Sequence, residues 1–257
     1  MIELERLTFG YSTDAPIFED FSWSVDAGEA WSVLGPSGCG KTTLLYLLAG
    51  LRRPQAGSLH VDGQPLDRPR PRTGLILQDY GLMPWATVRE NVALGLRVRG
   101  FYGPDGRHAP PDEVVGQLRE RVDPWLERMG LLSVRDHYPG QTSGGQRQRA
   151  AIARTLTLNP DLLLMDEPFA SLDAPTREDL QDLTLQLRAE RDLTLILVTH
   201  TIEEAAFLGQ RILVLGRPPT RRALIVDNPK AGTVEYRQSD GYASMCRELR
   251  ERLGALV

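Results

Sequence analysis

Residues 35–42 have the types and the spacing of a phosphate-binding loop. They read Gly-Pro-Ser-Gly-Cys-Gly-Lys-Thr and fit the pattern G-x-x-x-x-G-K-[ST]. Backbone N–H groups around the inner glycines, with the positive end of a following helix, would surround anionic oxygens. The Lys41 ammonium would reach the terminal phosphates, and the Thr42 hydroxyl suits a magnesium ion that bridges them. The predicted nucleotide-binding residues near this loop are Gly35, Pro36, Ser37, Gly38, Cys39, Gly40, Lys41, Thr42 and Thr43.

Lysine is rare in the rest of the chain. Of 30 basic residues, only Lys41 and Lys230 are lysine, and arginine provides the other positive side chains. A compact ammonium fits between two phosphoryl groups as a point charge, whereas a planar guanidinium does not. The loop also lies between an apolar extended stretch, residues 30–34, and a helical stretch, residues 42–49, as such a loop requires. The sequence therefore predicts phosphate binding.

Two adjacent carboxylates follow a short apolar run. Asp166 and Glu167 come directly after residues 162–165, which are Leu-Leu-Leu-Met. Carboxylates at the carboxyl end of a buried parallel strand lie where open α/β sheets bind their ligands. We expect Asp166 to hold magnesium through water, and Glu167 to polarise the attacking water.

A serine and two glycines precede a predicted helix at residues 147–154. Ser143, Gly144, Gly145 and Gln146 would form a second anion site at the helix N-terminus. Taken alone, this segment is equally consistent with an ordinary glycine-rich helix cap. Its functional interpretation depends on its place in the chain, after the phosphate loop and before the carboxylate pair.

Strands and helices alternate so that these residues fall at the ends of strands. Nearly continuous apolar strands are typical of a parallel sheet covered on both faces, which predicts an α/β fold. Strands are predicted at residues 2–9, 18–25, 30–34, 58–61, 75–78, 162–165, 194–199, 212–215 and 223–226. Helices are predicted at residues 42–49, 88–96, 112–129, 147–154, 175–191, 202–208 and 242–253. The Gly/Pro-rich residues 100–111 are predicted to be a flexible surface insertion within a small helical subdomain.

Composition and charge are those of a soluble globular protein. The 257 residues are 41% hydrophobic and 25% charged, and the net charge of −4 gives no reason to expect a nucleic-acid partner. The basic cluster at residues 68–72 has no interleaved aromatics and is predicted to be a solvated loop. No apolar run approaches the length of a membrane span, and the N-terminus does not resemble a signal peptide. Two cysteines, one of them inside the loop, favour a reducing compartment.

The order of these segments resembles the ATP-binding-cassette (ABC) ATPases over nearly the whole chain. The resemblance identifies further candidates: a Q-loop glutamine, a D-loop, a switch histidine and an aromatic that stacks on adenine. The matching residues are Lys41 and Thr42 (Walker A), Gln78 (Q-loop), Ser143 to Gln146 (signature), Asp166 and Glu167 (Walker B), Ser171 to Asp173 (D-loop), His200 (switch) and Tyr11 (adenine).

The resemblance implies a P-loop NTPase (RecA-like) core with a β subdomain and a helical signature subdomain. One ABC ATPase domain would span residues 1–257: the core is residues 1–80 and 159–225, the helical subdomain about 81–158, and the tail 226–257. ATP and Mg²⁺ are the implied cofactors, with Thr42, Gln78 and Asp166 at the metal. Glu167, His200 and Gln78 are the implied catalytic residues.

The resemblance also implies a second cassette, so that two nucleotides are buried between two copies. Ser143, Gly144, Gly145, Gln146 and Asp173 would then act on the nucleotide of the other copy. Two positions depart from the family pattern. Thr142 replaces the usual leucine before the signature serine, and Thr201 replaces the acidic residue that commonly follows the switch histidine. Neither change removes a catalytic group.

The segment after Gln78 indicates a membrane partner. Leu82, Met83 and Trp85 lie where the family receives a helix of the permease, although a core role in the helical subdomain is also open. The sequence of residues 82–96 resembles that of importer ATPases for nitrate, sulfonates, taurine and pyrimidine precursors. This predicts a peripheral protein at the cytoplasmic membrane face, with a permease and an extracytoplasmic solute-binding protein. The alternatives are an exporter ATPase and a non-transport ABC ATPase.

Overall fold

The computed structural model describes residues 1–12, 14–114, 116 and 118–256. The chain divides into two compact units. The first comprises residues 1–69, 164–167 and the chain from 181 onward, and the second comprises residues 70–163 and 168–180. Strand β7 (Leu162–Asp166) and helix α5 (Ala174–Arg191) each contribute residues to both units.

The first unit contains an antiparallel sheet with the strand order β2-β1-β4-β5. Its strands are β1 (Ile2–Ser12), β2 (Ala15–Val25), β4 (Ala56–Val61) and β5 (Gln64–Pro65). Buried and exposed residues alternate along much of β2, which places Phe21, Trp23 and Val25 in the core. This period of two is expected of a sheet that has one face covered.

The first unit also contains the parallel sheet that carries the predicted site. It is formed by β7 with β3 (Ala30–Leu34), β8 (Thr194–Thr199), β9 (Arg211–Val214) and β10 (Leu224–Asp227). The strand order is β10-β9-β3-β8-β7. Strand β3 pairs in parallel with β8 and β9, while β10 pairs antiparallel to β9. Every residue of β3, β7 and β8 is buried, as the apolar runs predict. The α/β class is therefore confirmed.

Helices α1 (Lys41–Leu48), α6 (Ile202–Leu208), α7 (Val234–Arg237) and α8 (Asp240–Leu256) complete the first unit. Helices α6 and α8 share a core with the sheet, formed by Leu34, Ala205, Ala206, Ile212, Val214, Val226, Cys246 and Leu249. Among the described residues, none of the helices combines the length and the apolar character needed to cross a membrane.

The second unit is mostly helical. It contains β6 (Thr73–Ile76), which neighbours β7 in the sheet order, and helices α2 (Val88–Tyr102), α3 (Leu118–Arg128) and α4 (Gly144–Leu156). Helix α2 begins with a capping box in which the Thr87 hydroxyl accepts the Glu90 amide and the Glu90 carboxylate accepts the Thr87 amide. Two 3₁₀ turns, Leu132–Val134 and Pro139–Gln141, precede α4.

The prediction of a helix over residues 112–129 was wrong at its start, because residues 112–114 and 116 are not helical, while residues 115 and 117 lie outside the described part of the chain. Asp112 and Glu113 are held instead by arginines. Arg72 donates twice to Asp112, at 2.8 and 2.7 Å, and Arg99 donates to Glu113 at 2.5 Å. The Arg99 and Glu113 side chains are only 4% and 6% exposed, so they form a buried ion pair. Hydrophobic periodicity does not reveal such a pair.

The surface insertion predicted at residues 100–111 contains more regular structure than its Gly/Pro content indicates, although most of its residues are exposed. Residues 100–102 continue α2, and Ala109 is fully buried. The Asp105 carboxylate accepts the backbone amides of Arg107 and His108 at 2.9 and 2.7 Å, and the His108 ring stacks on Tyr102 with a centroid distance of 3.7 Å. Asp105 therefore organises a compact turn, as short acidic side chains often do.

Candidate functional site

The phosphate-loop residues leave the carboxyl end of β3, in the interior of the parallel sheet. Leu34, the last residue of β3, lies opposite Thr199 on one neighbouring strand and Val214 on the other. The end of β8 therefore lies beside the start of the loop, and β7 follows β8 in the sheet order. This edge is where open α/β sheets bind ligands.

Two loop positions require glycine. Gly40 has φ +104°, and a Cβ there would lie 2.4 Å from Ile17 Cγ2. At Gly35 a Cβ would lie 2.6 Å from the Cys39 sulfur and 2.7 Å from the Leu215 carbonyl oxygen. Burial raises the pKa of the Cys39 thiol, so this sulfur packs as a neutral group. The glycine spacing thus results from close backbone packing as well as from phosphate chemistry.

Lys41 begins helix α1, and its side chain turns back onto the loop. The residue is 6% exposed, and its ammonium donates to the Gly35 carbonyl at 2.8 Å and to the Pro36 carbonyl at 3.0 Å. These carbonyl oxygens carry only partial negative charges, whereas the buried ammonium carries a full positive charge. A phosphate group at the loop would provide a full negative charge and a stronger hydrogen bond.

Thr42 and Asp166 are 124 positions apart in the sequence and in contact in the structure. The Thr42 hydroxyl donates to the Asp166 carboxylate at 3.2 Å, and Asp166 is 5% exposed. Burial raises the pKa of Asp166 above its ordinary value, the hydrogen bond from Thr42 opposes this, and the nearby Glu167 adds to it. A cation at this position would relieve the cost of burying the carboxylate.

The donor set at Thr42 and Asp166 fits magnesium. A hydroxyl and a carboxylate are the hard oxygen ligands that Mg²⁺ prefers, and the ion usually takes its other ligands from phosphates and water. Among the described residues, no cluster of three or more His, Cys, Asp or Glu side chains could hold a metal by itself. The pair therefore fits a metal that arrives with a phosphorylated ligand.

Glu167 and His200 are also brought together. The Glu167 carboxylate lies 3.0 Å from His200 Nδ1, and the side chains are 19% and 53% exposed. Glu167 has φ +45°, which is uncommon for a residue with a side chain, and its amide donates to the Val198 carbonyl at 2.9 Å. A carboxylate and an imidazole at hydrogen-bond distance can share and orient the protons of a water molecule.

Tyr11 lies near the end of β1 and is 62% exposed. Its hydroxyl lies 3.4 Å from the hydroxyl of Thr43, its ring meets Phe9 edge to face, and the Arg52 guanidinium lies 5.7 Å from its centre. Tyr11 therefore belongs to the same unit as the loop and offers an aromatic face for stacking.

In the second unit, Ser143 caps helix α4. Its hydroxyl accepts the Gln146 amide at 3.2 Å, and the Gln146 side chain accepts the Ser143 amide at 2.9 Å. The preceding Thr142 is 8% exposed and donates its hydroxyl to the Pro139 carbonyl at 2.8 Å. This bond explains how threonine is accommodated where the resemblance leads one to expect leucine. Gly144 and Gly145 form the first turn of α4.

Gln78 and Asp173 also lie in the second unit. Gln78 follows β6 in a turn segment. Asp173 precedes α5 and accepts both the amide and the hydroxyl of Thr176, at 3.0 and 3.1 Å. The amide hydrogen bond from Thr176 is the main reason that the pKa of Asp173 is lowered. The aspartate is therefore fixed as a helix-capping anion.

Trp85 is the most exposed of the three predicted contact residues, at 73%. The segment that carries it is tied to α2 by Asn91, which is 1% exposed. The Asn91 side chain accepts the Met83 amide at 2.7 Å and donates to the Met83 carbonyl at 3.1 Å. Leu82 and Met83 are half-buried. An exposed indole on a fixed loop is a suitable contact surface.

Sequence reasoning did not identify Tyr80, which links two of these segments. Its hydroxyl lies 2.6 Å from the Ser171 hydroxyl, and Arg154 donates to the carbonyls of Tyr80 and Gly81 at 2.8 and 2.6 Å. The Arg147 guanidinium lies 6.0 Å from the Tyr80 ring. A lone tyrosine in a turn carries no sequence signal for such contacts.

A strand that leads into a glycine-rich loop with lysine, and a carboxylate pair at the end of β7, the next strand but one in the same sheet, together define a P-loop NTPase. Residues 18–170 match the family described as ABC transporter. The chain belongs to this family and is an ATP-binding and ATP-hydrolysing transporter subunit. The predicted fold and activity are thus confirmed.

Named relatives and solved structures agree with this assignment. The taurine import ATP-binding protein TauB of Pseudomonas aeruginosa is 44% identical over 205 residues, which is 80% of this chain and 73% of that protein. The nitrate import ATP-binding protein NrtD of Synechococcus elongatus is 40% identical over 201 residues, which is 78% of this chain and 70% of that protein. A dimeric ATP-binding cassette bound to ADP and Pi has a TM-score of 0.74 and 29% identity, covering 88% of this chain and 98% of that one.

Proposed function

We propose that this subunit powers the import of a small anionic solute of the nitrate or sulfonate kind, or of a pyrimidine precursor. The observation that carries the ATP-driven part of the proposal is the convergence of Thr42, Asp166, Glu167 and His200 at the carboxyl ends of the strands of one parallel sheet. The relatives named for taurine and nitrate import support the direction of transport and the solute class. The protein would act at the cytoplasmic membrane face, bound to a permease that works with an extracytoplasmic solute-binding protein.

The nucleotide would be ATP with magnesium. Lys41 would exchange its bonds to the Gly35 and Pro36 carbonyls for bonds to phosphate oxygens, and Tyr11 would stack on the adenine. Thr42, Asp166 and Gln78 would hold the metal, which neutralises phosphate charge when bound.

Glu167 would then act on the attacking water. Its carboxylate accepts a proton from the water, while His200, 3.0 Å away, steadies the same water and the γ-phosphate. Gln78 would assist in placing that water.

A second copy of the chain would complete each site. Ser143, Gly144, Gly145 and Gln146 would close over the nucleotide bound by the other copy, and Asp173 would contact the same site. The N-terminus of α4 provides N–H groups and a partial positive charge for this purpose. A two-fold arrangement gives both sites the same contacts, and the solved cassette bound to ADP and Pi is dimeric.

Replacing Ser143 by arginine should prevent this closure. A large cation at the cap position would fill the space that the signature needs against the other copy, so dimers should not form while each monomer still binds ATP. Size-exclusion chromatography with and without ATP would measure the dimer, and fluorescent-nucleotide titration would measure binding. An ATP-dependent dimer of Ser143→Arg would contradict the proposed interface.

Replacing Trp85 by alanine should uncouple transport from hydrolysis. The exposed indole would be lost from the permease contact, so solute uptake should fall while the chain alone hydrolyses ATP at the wild-type rate. Uptake in cells and ATPase activity of the purified chain would be compared. Thermal melting is the control for folding, and unchanged uptake would refute the contact.

The decisive experiment for the function is purification of the chain from its own membranes. Recovery of a permease, followed by ligand screening of the adjacent solute-binding protein against nitrate, taurine, alkanesulfonates and pyrimidine precursors, would identify the solute. Recovery of a permease with no binding protein would favour export. Recovery of ribosomes or DNA would contradict a transport role.

A further inference from the structure

Two hydrogen bonds meet at the hydroxyl of Thr199, the residue directly before His200. Thr199, the last residue of β8, donates its hydroxyl to the Glu204 carboxylate at 2.6 Å. The same hydroxyl oxygen accepts the backbone amide of Thr201 at 3.0 Å. A hydroxyl has one donor and two acceptor positions, so it makes both bonds at once.

Both side chains that make the first of these bonds are buried. Thr199 is 1% exposed and Glu204 is 4% exposed, whereas the His200 side chain between them is 53% exposed. A donor–acceptor distance of 2.6 Å is typical of a hydroxyl that donates to a carboxylate, a strong class of hydrogen bond. The exposed imidazole of His200 therefore lies next to a buried hydrogen bond between Thr199 and Glu204.

The start of helix α6 has no comparable support from its own cap. Thr201 occupies the N-cap position, yet within the described residues its side chain makes no capping hydrogen bond. Its amide is instead held by Thr199, and Glu204 lies in the first turn of α6. The Thr199 hydroxyl therefore holds the amide that follows His200, at the junction of β8 and α6.

We propose that Thr199 and Glu204 are positioning residues that set the imidazole of His200 against Glu167. Glu204 orients the Thr199 hydroxyl, and that hydroxyl fixes the peptide after His200. The imidazole then stays 3.0 Å from the Glu167 carboxylate. This inference rests on the proposed role of His200 in hydrolysis.

The test compares Thr199→Val, which keeps the shape of the side chain but removes the hydroxyl, with Thr199→Ser, which keeps the hydroxyl. Thr199→Val should lower kcat for ATP about tenfold or more with an unchanged KM, since small displacements of a catalytic group can cost on the order of 100-fold. Thr199→Ser should retain most of the wild-type kcat, because it keeps the hydroxyl. Thr194→Val is the matched control, because Thr194 is 1% exposed in the same strand and accepts the Gly28 amide at 3.0 Å.

A double variant shows whether the effect passes through His200. In the His200→Ala background, Thr199→Val should cause no further loss of kcat, whereas independent effects would add. Additive losses, or a wild-type kcat for Thr199→Val, would overturn the inference about Thr199 and leave the proposed role of His200 intact. Wild-type activity of His200→Ala would instead overturn the proposed role of His200, and with it this inference.

A second matched pair covers the case in which Thr199→Val does not fold. Glu204→Gln keeps an oxygen that can accept the Thr199 hydroxyl, while Glu204→Met has a similar length and has no such oxygen. Glu204→Met should lose kcat as Thr199→Val does, and Glu204→Gln should keep most of it. Equal activity of the two Glu204 variants would contradict the inference, with thermal melting used to compare their folding.

Discussion

Replacing Glu167 by glutamine is expected to leave ATP binding intact and to lower kcat on the order of 10²- to 10⁴-fold, the usual contribution of a general base. The amide has the same shape and can still lie beside His200, but it cannot take a proton from water. Because hydrolysis would release the closed dimer, the variant should accumulate as an ATP-bound dimer. Phosphate release and size-exclusion chromatography with Mg²⁺ and ATP would measure both effects.

Glu251→Gln is a suitable control for this experiment. Glu251 lies on α8 in the same unit and is exposed, so the same chemical change should leave kcat and the dimer population unchanged. Hydrolysis by Glu167→Gln at the wild-type rate would show that another group accepts the proton. A variant that is inactive but also fails to bind ATP would show instead that Glu167 supports the nucleotide site.

Replacing Lys41 by alanine should raise the Kd for ATP roughly 10- to 100-fold, since hydrogen bonds to charged groups contribute about 1.5–3 kcal/mol. The ammonium is already directed into the loop by the Gly35 and Pro36 carbonyls, so little rearrangement is needed before it meets phosphate. Nucleotide titration by calorimetry would give the Kd. The difference should be larger for ATP than for adenosine, because adenosine has no phosphate.

The chain provides its own control for this prediction. Lys230 is the only other lysine and is exposed, so Lys230→Ala removes the same charge from the surface. Its Kd for ATP should equal that of the wild type. Equal losses for both variants would mean that net charge, rather than the loop lysine, determines affinity.

The sequence predicted the sheet and the phosphate loop because short-range patterns determine them. Apolar runs reveal buried strands, and the glycine spacing reveals a loop whose backbone packs closely at Gly35 and Gly40. The loop and the strand end each suggested magnesium, and the resemblance to a known family placed Thr42 and Asp166, 124 positions apart, at the same ion. The resemblance to a known family provided His200, which the pattern of β8 alone does not distinguish from a structural histidine.

Features fixed by single long-range contacts were not predicted. Asp112 and Glu113 precede helix α3 in a turn, where Arg72 and Arg99 hold their carboxylates. The contact of Tyr80 with Ser171 spans 91 positions and joins two turns. Hydrophobic period and turn chemistry describe neighbours along the chain, and neither describes a buried ion pair or a hydroxyl contact between distant turns.

The scarcity of lysine also has a spectroscopic consequence. Incorporation of ¹⁵N-lysine alone would give two backbone amide resonances, one from Lys41 at the start of α1 and one from Lys230 at an exposed turn. The first lies in the phosphate loop and should shift when nucleotide binds, and the second should stay in place as an internal reference. Occupancy of the nucleotide site could then be followed in the unmodified wild-type chain.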